Sequence, residues 1–147
     1  MGNRAVITTE RGWSNPRQNL GIYLHWNGGR DSVEGFLTYC KFKGYRSPES
    51  DNYGWASLAT VITNFFGADG LSIGIDVVSQ LPCSNSDNGV YIIKDWEIVD
   101  RKHFKWKVEQ AVYELEDVLN VIDETMPTDA RLGREKIKEL LEARNAE

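Results

Sequence analysis

The sequence predicts an α+β protein, in which a small antiparallel sheet with two helices inserted between its strands is followed by a C-terminal helical hairpin. Three observations support this fold class. β-branched or alternating runs indicate short strands on both sides of two segments with helical apolar spacing. After residue 106 the pattern becomes helical. We therefore expect an α+β core over residues 1–105 and C-terminal helices over residues 106–147, which pack on the core or mediate dimerisation.

The first two strands are predicted near the start of the chain. A β-branched run within residues 3–9 indicates the first, and turn-forming residues at 10–19 indicate a loop after it. Residues 20–26 alternate, which predicts a second strand. The alternation sends Ile22, Leu24 and Trp26 to the core face and Tyr23, His25 and Asn27 to the opposite face. That opposite face can serve as a binding surface.

The first inserted helix is predicted to follow the glycine pair at 28 and 29. Asp31 and Glu34 have the spacing of a capping box, so Asp31 is the predicted N-cap. Gly44 is the predicted end of the helix. The apolar stripe that should face the core consists of Val33, Phe36, Leu37 and Cys40.

The second inserted helix is predicted over residues 51–66. Ser50 or Asp51 can cap its start, and Gly67 suits its end. Gly54 lies in the first turn, where a glycine often permits the close approach of another backbone or a ligand. The apolar positions at helical spacing are Trp55, Leu58, Ala59, Ile62, Phe65 and Phe66.

Two further strand segments are predicted after the helices. Residues 71–75 alternate between apolar and small or polar side chains. Asn88 and Gly89 form a strong turn pair, after which residues 90–99 predict a strand with a bend or bulge at Asp95. Together these segments predict an antiparallel meander.

The last part of the chain predicts two helices. Apolar residues from 108 to 122 form one stripe, and Pro127 ends that helix. Thr128 or Asp129 is the predicted cap of the final helix, which has few apolar residues among many charges. Such a hairpin buries its apolar face on the sheet of the same chain or against a second copy of the chain.

Composition excludes some classes of protein. The net charge of −5 argues against a protein that coats duplex DNA, because such proteins carry a basic stripe. No apolar run has the length of a membrane helix, and the N-terminus lacks the apolar core of a signal peptide. We therefore expect no duplex nucleic acid and no membrane partner, and a cytoplasmic location.

Aromatic and cationic residues cluster between positions 21 and 55. Aromatic rings can stack on a nucleobase, and arginine can hold a phosphate. Residues 21–46 have a local surplus of basic residues, which suits an anionic ligand. The candidate ligand-binding residues are Tyr23, His25, Asn27, Arg30, Tyr45, Arg46, Tyr53 and Trp55. Cys40 and Cys83 lack the spacing of a zinc site, so neither a metal nor a cofactor is predicted.

Two runs of the sequence carry a resemblance: GIYLHWNGGRDSVEGFLTYCKFKGYRSPESDNYGWA and NGVYIIKDWEIVDRK. They resemble a group of small uncharacterised proteins encoded by bacteriophages and prophages of Gram-positive bacteria. The similarity covers residues 20 to 104 and leaves the helical tail outside. It implies a phage accessory protein that acts in the cytoplasm of the host bacterial cell, a setting in which small proteins often inhibit host defence. It implies no activity and no functional residue.

The preferred hypothesis is a non-catalytic protein that counters host defence by sequestering a nucleotide-derived signal, such as a cyclic oligonucleotide or an ADP-ribose derivative. Asp31 and Glu34 near the helix start argue against an anion there.

Two alternatives stay open. The first is an inhibitor that binds a host defence protein through an acidic surface, because residues 49–100 hold eight acids and one base, Lys94. The second is a small enzyme that uses His25 with Asn27, Cys40 or Asp31, for which His103 supplies a second imidazole. It is disfavoured because no hydrolase or deaminase motif is present.

Overall fold

A five-stranded mixed sheet forms the centre of the fold. The structure is a computed structural model, and it describes residues 2–67, 72–84, 87–104 and 114–146. The strand order across the sheet is β3-β2-β1-β4-β5. The strands are β1 (Ala5–Thr8), β2 (Leu20–Leu24), β3 (Ile73–Val77), β4 (Val90–Lys94) and β5 (Glu97–Lys102). The α+β fold class predicted from the sequence is confirmed.

The prediction that the sheet is antiparallel throughout is wrong for one pair of strands. Strands β1 and β4 run parallel, with Ile7 opposite Tyr91, whereas the other three neighbouring pairs are antiparallel. Alternation along a strand indicates which faces its side chains occupy, but it carries no information about the direction of the neighbour. Only the tertiary fold, which inserts β4 beside β1 after the helices, decides that direction.

Five helices accompany the sheet in the described part of the chain. Short 3₁₀ turns at Val78–Gln80 and Thr128–Ala130 connect some of these elements. The helices are α1 (Glu10–Ser14), α2 (Arg30–Phe42), α3 (Tyr53–Phe65), α4 (Leu115–Thr125) and α5 (Arg134–Asn145). Part of the long helix predicted from 107 onwards lies outside the described residues.

Helix α1 corrects the prediction of a loop over residues 10–19. The Thr9 side chain accepts a hydrogen bond from the Gly12 amide at 3.1 Å and caps the helix. A threonine followed by Glu10 is a favourable N-terminal signal, but the turn-forming residues that follow hide it.

Helices α2 and α5 also begin at positions that differ from the prediction. Gly29 is the N-cap of α2, and Asp31 lies inside the first turn, where its carboxylate accepts from the Ser32 amide. Glu34 pairs with Arg30 at 2.6 Å and does not complete a capping box. The final helix begins at Arg134 and not after Thr128 or Asp129. The predicted limits of α3 are correct to within two residues.

Helix α2 lies between the sheet and the C-terminal helices. Seven of its thirteen residues are buried, including the whole stripe predicted from the sequence. On its outer side Gly35 lets α4 approach closely, since an added Cβ would lie 2.4 Å from a methyl carbon of Val118. The C-terminal helices therefore pack within the same chain and contribute Leu119, Ile122, Ile137 and Leu141 to the main core. Dimerisation through these helices stays a prediction.

The two faces of the sheet differ in their cover. Ile7, Ile22 and Leu24 face the helices and belong to the main core. The opposite face has a smaller cluster, in which Val6, Val90 and Ile92 are buried and Trp13, Tyr23, Leu81 and Cys83 pack on them. Trp26 was predicted to face the core, but it is 47% exposed because β2 ends two residues earlier.

Asp123 joins three elements through one buried carboxylate. Its oxygens accept hydrogen bonds from the Tyr39 hydroxyl at 2.6 Å and from the amides of Leu132 and Gly133 at 2.7 and 2.9 Å. Burial opposes ionisation and raises the pKa of Asp123, but these hydrogen bonds outweigh it, so the pKa lies below its usual value. The same bonds hold the chain extended before Arg134, which explains the late start of α5.

We expect Asp123→Asn to destabilise the protein, because its amide group cannot accept the hydrogen bond that Gly133 donates. The free energy of unfolding should fall by roughly 1–3 kcal/mol at neutral pH, as measured by urea denaturation. Asp117→Asn is the matched control, since Asp117 is an exposed acid on the same helix. An equal effect of the two substitutions would contradict this role of Asp123.

The loss of stability caused by Asp123→Asn should depend on pH in a defined way. The pKa of Asp123 is lower in the folded state than in the unfolded chain. The contribution of the ionised Asp123 carboxylate to the free energy of unfolding is therefore complete above the unfolded pKa of about 3.9. It is lost as the pH falls through the pKa of the folded state. The difference in unfolding free energy between wild type and Asp123→Asn should be constant above about pH 5 and shrink in stronger acid. A difference that grows on acidification would refute the assignment.

Candidate functional site

The structure separates the eight candidate residues that the sequence placed on one recognition surface. Tyr23 and His25 lie together on the side of the sheet that faces away from the helices. The Tyr23 hydroxyl lies 2.8 Å from Nδ1 of His25. The exposed ring of Trp26 meets His25 edge-on, with 5.2 Å between ring centroids. These contacts occupy one imidazole nitrogen and join the three side chains into a small aromatic group.

Tyr45, Arg46 and Tyr53 form a second group. They line an open depression of about 420 Å³ together with residues from α3. The Arg46 guanidinium lies 4.6 Å from the Tyr53 ring centroid and 2.9 Å from a carboxylate oxygen of Asp51. Its charge is therefore already balanced within the protein.

The remaining three candidates lie apart from each other. Asn27 has a positive φ of 57° and donates to the Ser32 hydroxyl, so its role in this structure is to shape the turn before α2. Arg30 pairs with Glu34 and lines a narrow groove beside Arg144. Trp55 lines a different cleft, which we call the strand-end cleft. The candidates therefore line different cavities in the described part of the chain. Their part in ligand binding stays a prediction.

The strand-end cleft lies where the parallel strands β1 and β4 end. It has a volume of about 350 Å³. Crevices at the carboxyl ends of parallel strands are common ligand sites, since several loops meet there. One side of the cleft consists of residues 9–11, Asn19 and Leu20. A second side consists of residues 48, 49 and 55, and the lining is completed by Ile93, Lys94 and Val99.

The loop between α2 and α3 forms one wall of the cleft because it is fixed to the turn between β4 and β5. The indole N–H of Trp96 donates to the Tyr45 carbonyl at 2.8 Å, and the Asp95 amide donates to Glu49 at 3.1 Å. Asp95 and Trp96 have φ values of 51° and 64°, which suits a two-residue hairpin turn. The sequence predicted a bend or bulge at Asp95 within one continuous strand, and this is wrong, because the chain reverses here and β5 returns antiparallel to β4.

Gly54 completes the same wall by allowing α3 to touch the loop. A Cβ added there would lie 2.4 Å from the nitrogen of Pro48 and from the carbonyl carbon of Ser47. The glycine in the first turn of this helix therefore serves the close approach of two backbone segments. Trp55, the next residue, is half-buried and presents part of its ring to the cleft.

Glu49 is held in one orientation at the edge of the cleft. Its Oε2 accepts from the Ser47 hydroxyl at 2.5 Å and from the Asp95 amide. Partial burial raises the pKa of Glu49, but these hydrogen bonds outweigh the effect and the pKa lies below its usual value. The carboxylate is therefore ionised at neutral pH.

The cleft contains equal numbers of cationic and anionic side chains. Arg11 and Lys94 supply two cations, and Glu10 and Glu49 supply two anions. Among the residues that the structure describes, neither cation has an ion pair or a side-chain hydrogen bond. The cleft can therefore bind a planar ring on Trp55 and an anionic group on Arg11 and Lys94.

The residues weighed for nucleophilic chemistry lie elsewhere. Cys40 is fully buried in the core, and burial raises the pKa of its thiol. Burial also raises the pKa of the Cys83 thiol. His103 packs edge-on against Trp13, with 5.6 Å between ring centroids. Within the described ranges, no group of three histidine, cysteine or acidic side chains is arranged to hold a metal ion.

None of the helices in the described part of the chain combines the length and the apolar character that crossing a bilayer requires. Comparisons with protein families, with curated proteins and with solved structures gave no match.

Sequence reasoning missed most of the cleft. Only Trp55 among its lining residues was a candidate, whereas Arg11, Glu49 and Lys94 were not. The available signal was their position, since Arg11 follows the first predicted strand and Lys94 directly precedes the bend predicted at Asp95. Using it would have required the knowledge that β1 and β4 are parallel neighbours.

We expect Ser47→Ala to raise the pKa of Glu49 toward the usual glutamate value, because the carboxylate loses a hydrogen bond that favours its ionised form. Titration of the side-chain carboxyl by NMR would measure the shift. Ser57→Ala is the control, since Ser57 lines the other depression and does not contact Glu49. An unchanged pKa in Ser47→Ala would contradict the proposed support of Glu49.

Proposed function

We propose that the protein is a non-catalytic binding protein for a nucleotide-derived small molecule and that the strand-end cleft holds one base and one phosphate of this ligand. The proposal rests on one observation. The half-buried Trp55 lines the same cleft as Arg11 and Lys94, two cations whose side chains have no ion pair or hydrogen bond among the described residues. This proposal keeps the ligand class expected from the sequence and moves the site.

The physical properties of the cleft support this ligand class. Stacking of a base on an aromatic ring contributes about 1–3 kcal/mol. Charge-assisted hydrogen bonds from arginine to phosphate are roughly twice as strong as neutral ones. The volume of about 350 Å³ is near the lower end of the usual range for small-molecule sites, about 300–1,000 Å³. It therefore suits one nucleotide unit, with the rest of a larger signal outside the cleft.

Binding without turnover agrees with the chemistry of the lining residues. Thr9 is engaged as a helix cap through its hydroxyl oxygen. The lowered pKa of Glu49 makes it a poor general acid at neutral pH. His25 belongs to the Tyr23 group and does not line the cleft.

The biological role that we propose rests on the resemblance of the two sequence runs to phage and prophage proteins. In a host bacterial cell, a small protein that binds a nucleotide signal without consuming it lowers the free concentration of that signal. We therefore propose sequestration of a cyclic oligonucleotide or ADP-ribose type signal as the means of countering host defence. The effect requires the protein in excess over the signal and an affinity that matches the signal concentration.

The alternative of an acidic surface that inhibits a host protein has less support. Of the seven described acids between residues 49 and 100, four pair with bases outside this segment. The pairs are Asp51 with Arg46, Asp87 with Arg4, Glu97 with Lys41 and Asp100 with Lys102. The charge imbalance that motivated the alternative is therefore largely compensated in three dimensions.

Isothermal titration calorimetry with nucleoside monophosphates, ADP-ribose and cyclic di- and trinucleotides tests the proposal. We expect saturable binding of at least one of them and recovery of the unchanged ligand by chromatography. Arg11→Gln should weaken binding by about tenfold, because one charge-assisted contact is lost. Arg17→Gln should bind as the wild type does, since Arg17 is an exposed cation outside the cleft.

Two outcomes would refute the proposal. One is the absence of binding by the whole panel at high micromolar concentration. The other is binding that Arg11→Gln and Arg17→Gln weaken equally, since this would reflect net charge and not the cleft.

A further inference from the structure

We infer that the strand-end cleft selects guanine over adenine, with Glu49 as the residue that determines this specificity. The inference rests on the proposed function, because it concerns which base the same cleft accepts. It adds a chemical identity to the ligand that stacking on Trp55 alone does not provide, since every nucleobase has a ring face that can stack.

The orientation of Glu49 is the first step. Its Oε2 is engaged by the Ser47 hydroxyl and the Asp95 amide, at 2.5 and 3.1 Å. The amide of Glu49 itself also supports the carboxylate, and no described residue elsewhere in the chain donates a hydrogen bond to Oε1. A carboxylate fixed through one oxygen presents the other as an acceptor of defined position, and this preorganisation reduces the entropy lost on binding.

The position of Glu49 relative to Trp55 is the second step. Both residues line the same wall of the cleft, and the contact of Gly54 with the backbone of Ser47 and Pro48 joins their two segments. A base stacked on the indole therefore has an edge near the loop that carries Glu49. Arg11 and Lys94 come from other elements and remain for the phosphate.

The hydrogen-bonding pattern of the bases is the third step. An ionised carboxylate only accepts hydrogen bonds. Guanine presents two adjacent donors on its Watson–Crick edge, N1–H and the exocyclic N2 amino group. Adenine has one donor on this edge, the exocyclic N6 amino group, and next to it the lone pair of N1, which a carboxylate repels. A site that offers only acceptors therefore meets two adjacent donors on guanine but one donor beside a lone pair on adenine, which favours guanine.

The second acidic side chain of the cleft supports the assignment of base selection to Glu49. Glu10 is the other acid in the cleft, and it has no hydrogen bond with any described residue. Its side chain is not fixed as Glu49 is, so it does not present an acceptor at one position. Selection therefore falls to Glu49, whose two supporting hydrogen bonds come from the loop and from the β4–β5 turn.

Competitive calorimetry with GMP, IMP and AMP tests the inference on the full-length protein. IMP keeps N1–H of the guanine edge and lacks the exocyclic amino group. We expect affinity to fall in the order GMP, IMP, AMP, with at least about a tenfold difference between GMP and AMP, as for a lost hydrogen bond to a charged group. Equal affinities for GMP and AMP would overturn the inference and leave the proposed function intact.

Glu49→Gln tests whether this residue is responsible. Glutamine keeps one oxygen to accept from Ser47 and Asp95, and its amide can also donate to the adenine edge. We expect the preference for GMP over AMP to disappear, mainly through weaker GMP binding. Glu97→Gln is the matched control, since it makes the same chemical change at an exposed acid that does not line the cleft. Retention of the preference in Glu49→Gln would assign it to another residue and overturn the inference.

These experiments distinguish a failure of the proposed function from a failure of the proposed base selection. If no nucleotide binds to a folded wild-type protein, the proposed function fails and the inference fails with it. If AMP binds as well as GMP and Arg11→Gln weakens both, the cleft is the site and only the selection by Glu49 is refuted. Thermal unfolding of each variant, compared with the wild type, separates loss of binding from loss of folding.

Discussion

The parallel pairing of β1 and β4 is the constraint on which the candidate site depends. It brings the ends of two strands to the same edge of the sheet, so Arg11 and Lys94 lie around one cleft although they are distant in sequence. The loop between α2 and α3 closes the cleft because hydrogen bonds from Asp95 and Trp96 fix it to the next turn. A different strand order would disperse these residues and remove the cleft.

Much of the fold follows from local patterns in the sequence. The stripe from Val33 to Cys40 predicts the buried face of α2, and the pair Asn88 and Gly89 predicts the turn before β4, where Gly89 has a φ of 73°. Interactions between distant residues decide the features that were not predicted. The start of α5 depends on Asp123, which lies on another helix and binds the amides of the connecting segment. The direction of β4 relative to β1 depends on the packing of the whole chain.

The candidate site was harder to predict than the fold, for a geometric reason. Aromatic and cationic residues that are close in sequence were expected to share a surface, but Tyr23, Arg30 and Tyr53 lie on different elements that face different directions. Several of these residues also satisfy each other within the protein, as Arg46 does with Asp51. Trp55 alone joins the cleft, where its partners come from three other parts of the chain.

The most direct test of the central claim is a titration of the ¹⁵N-labelled protein with GMP, followed by two-dimensional ¹H–¹⁵N NMR. If the strand-end cleft is the binding site, the largest shifts will occur at the indole N–H of Trp55 and at the backbone amides of residues 9–11, 49 and 94. The signals of Tyr23 and His25 will stay unchanged. Shifts confined to Tyr23, His25 and Trp26, or a spectrum that does not change, would contradict the assignment of this cleft.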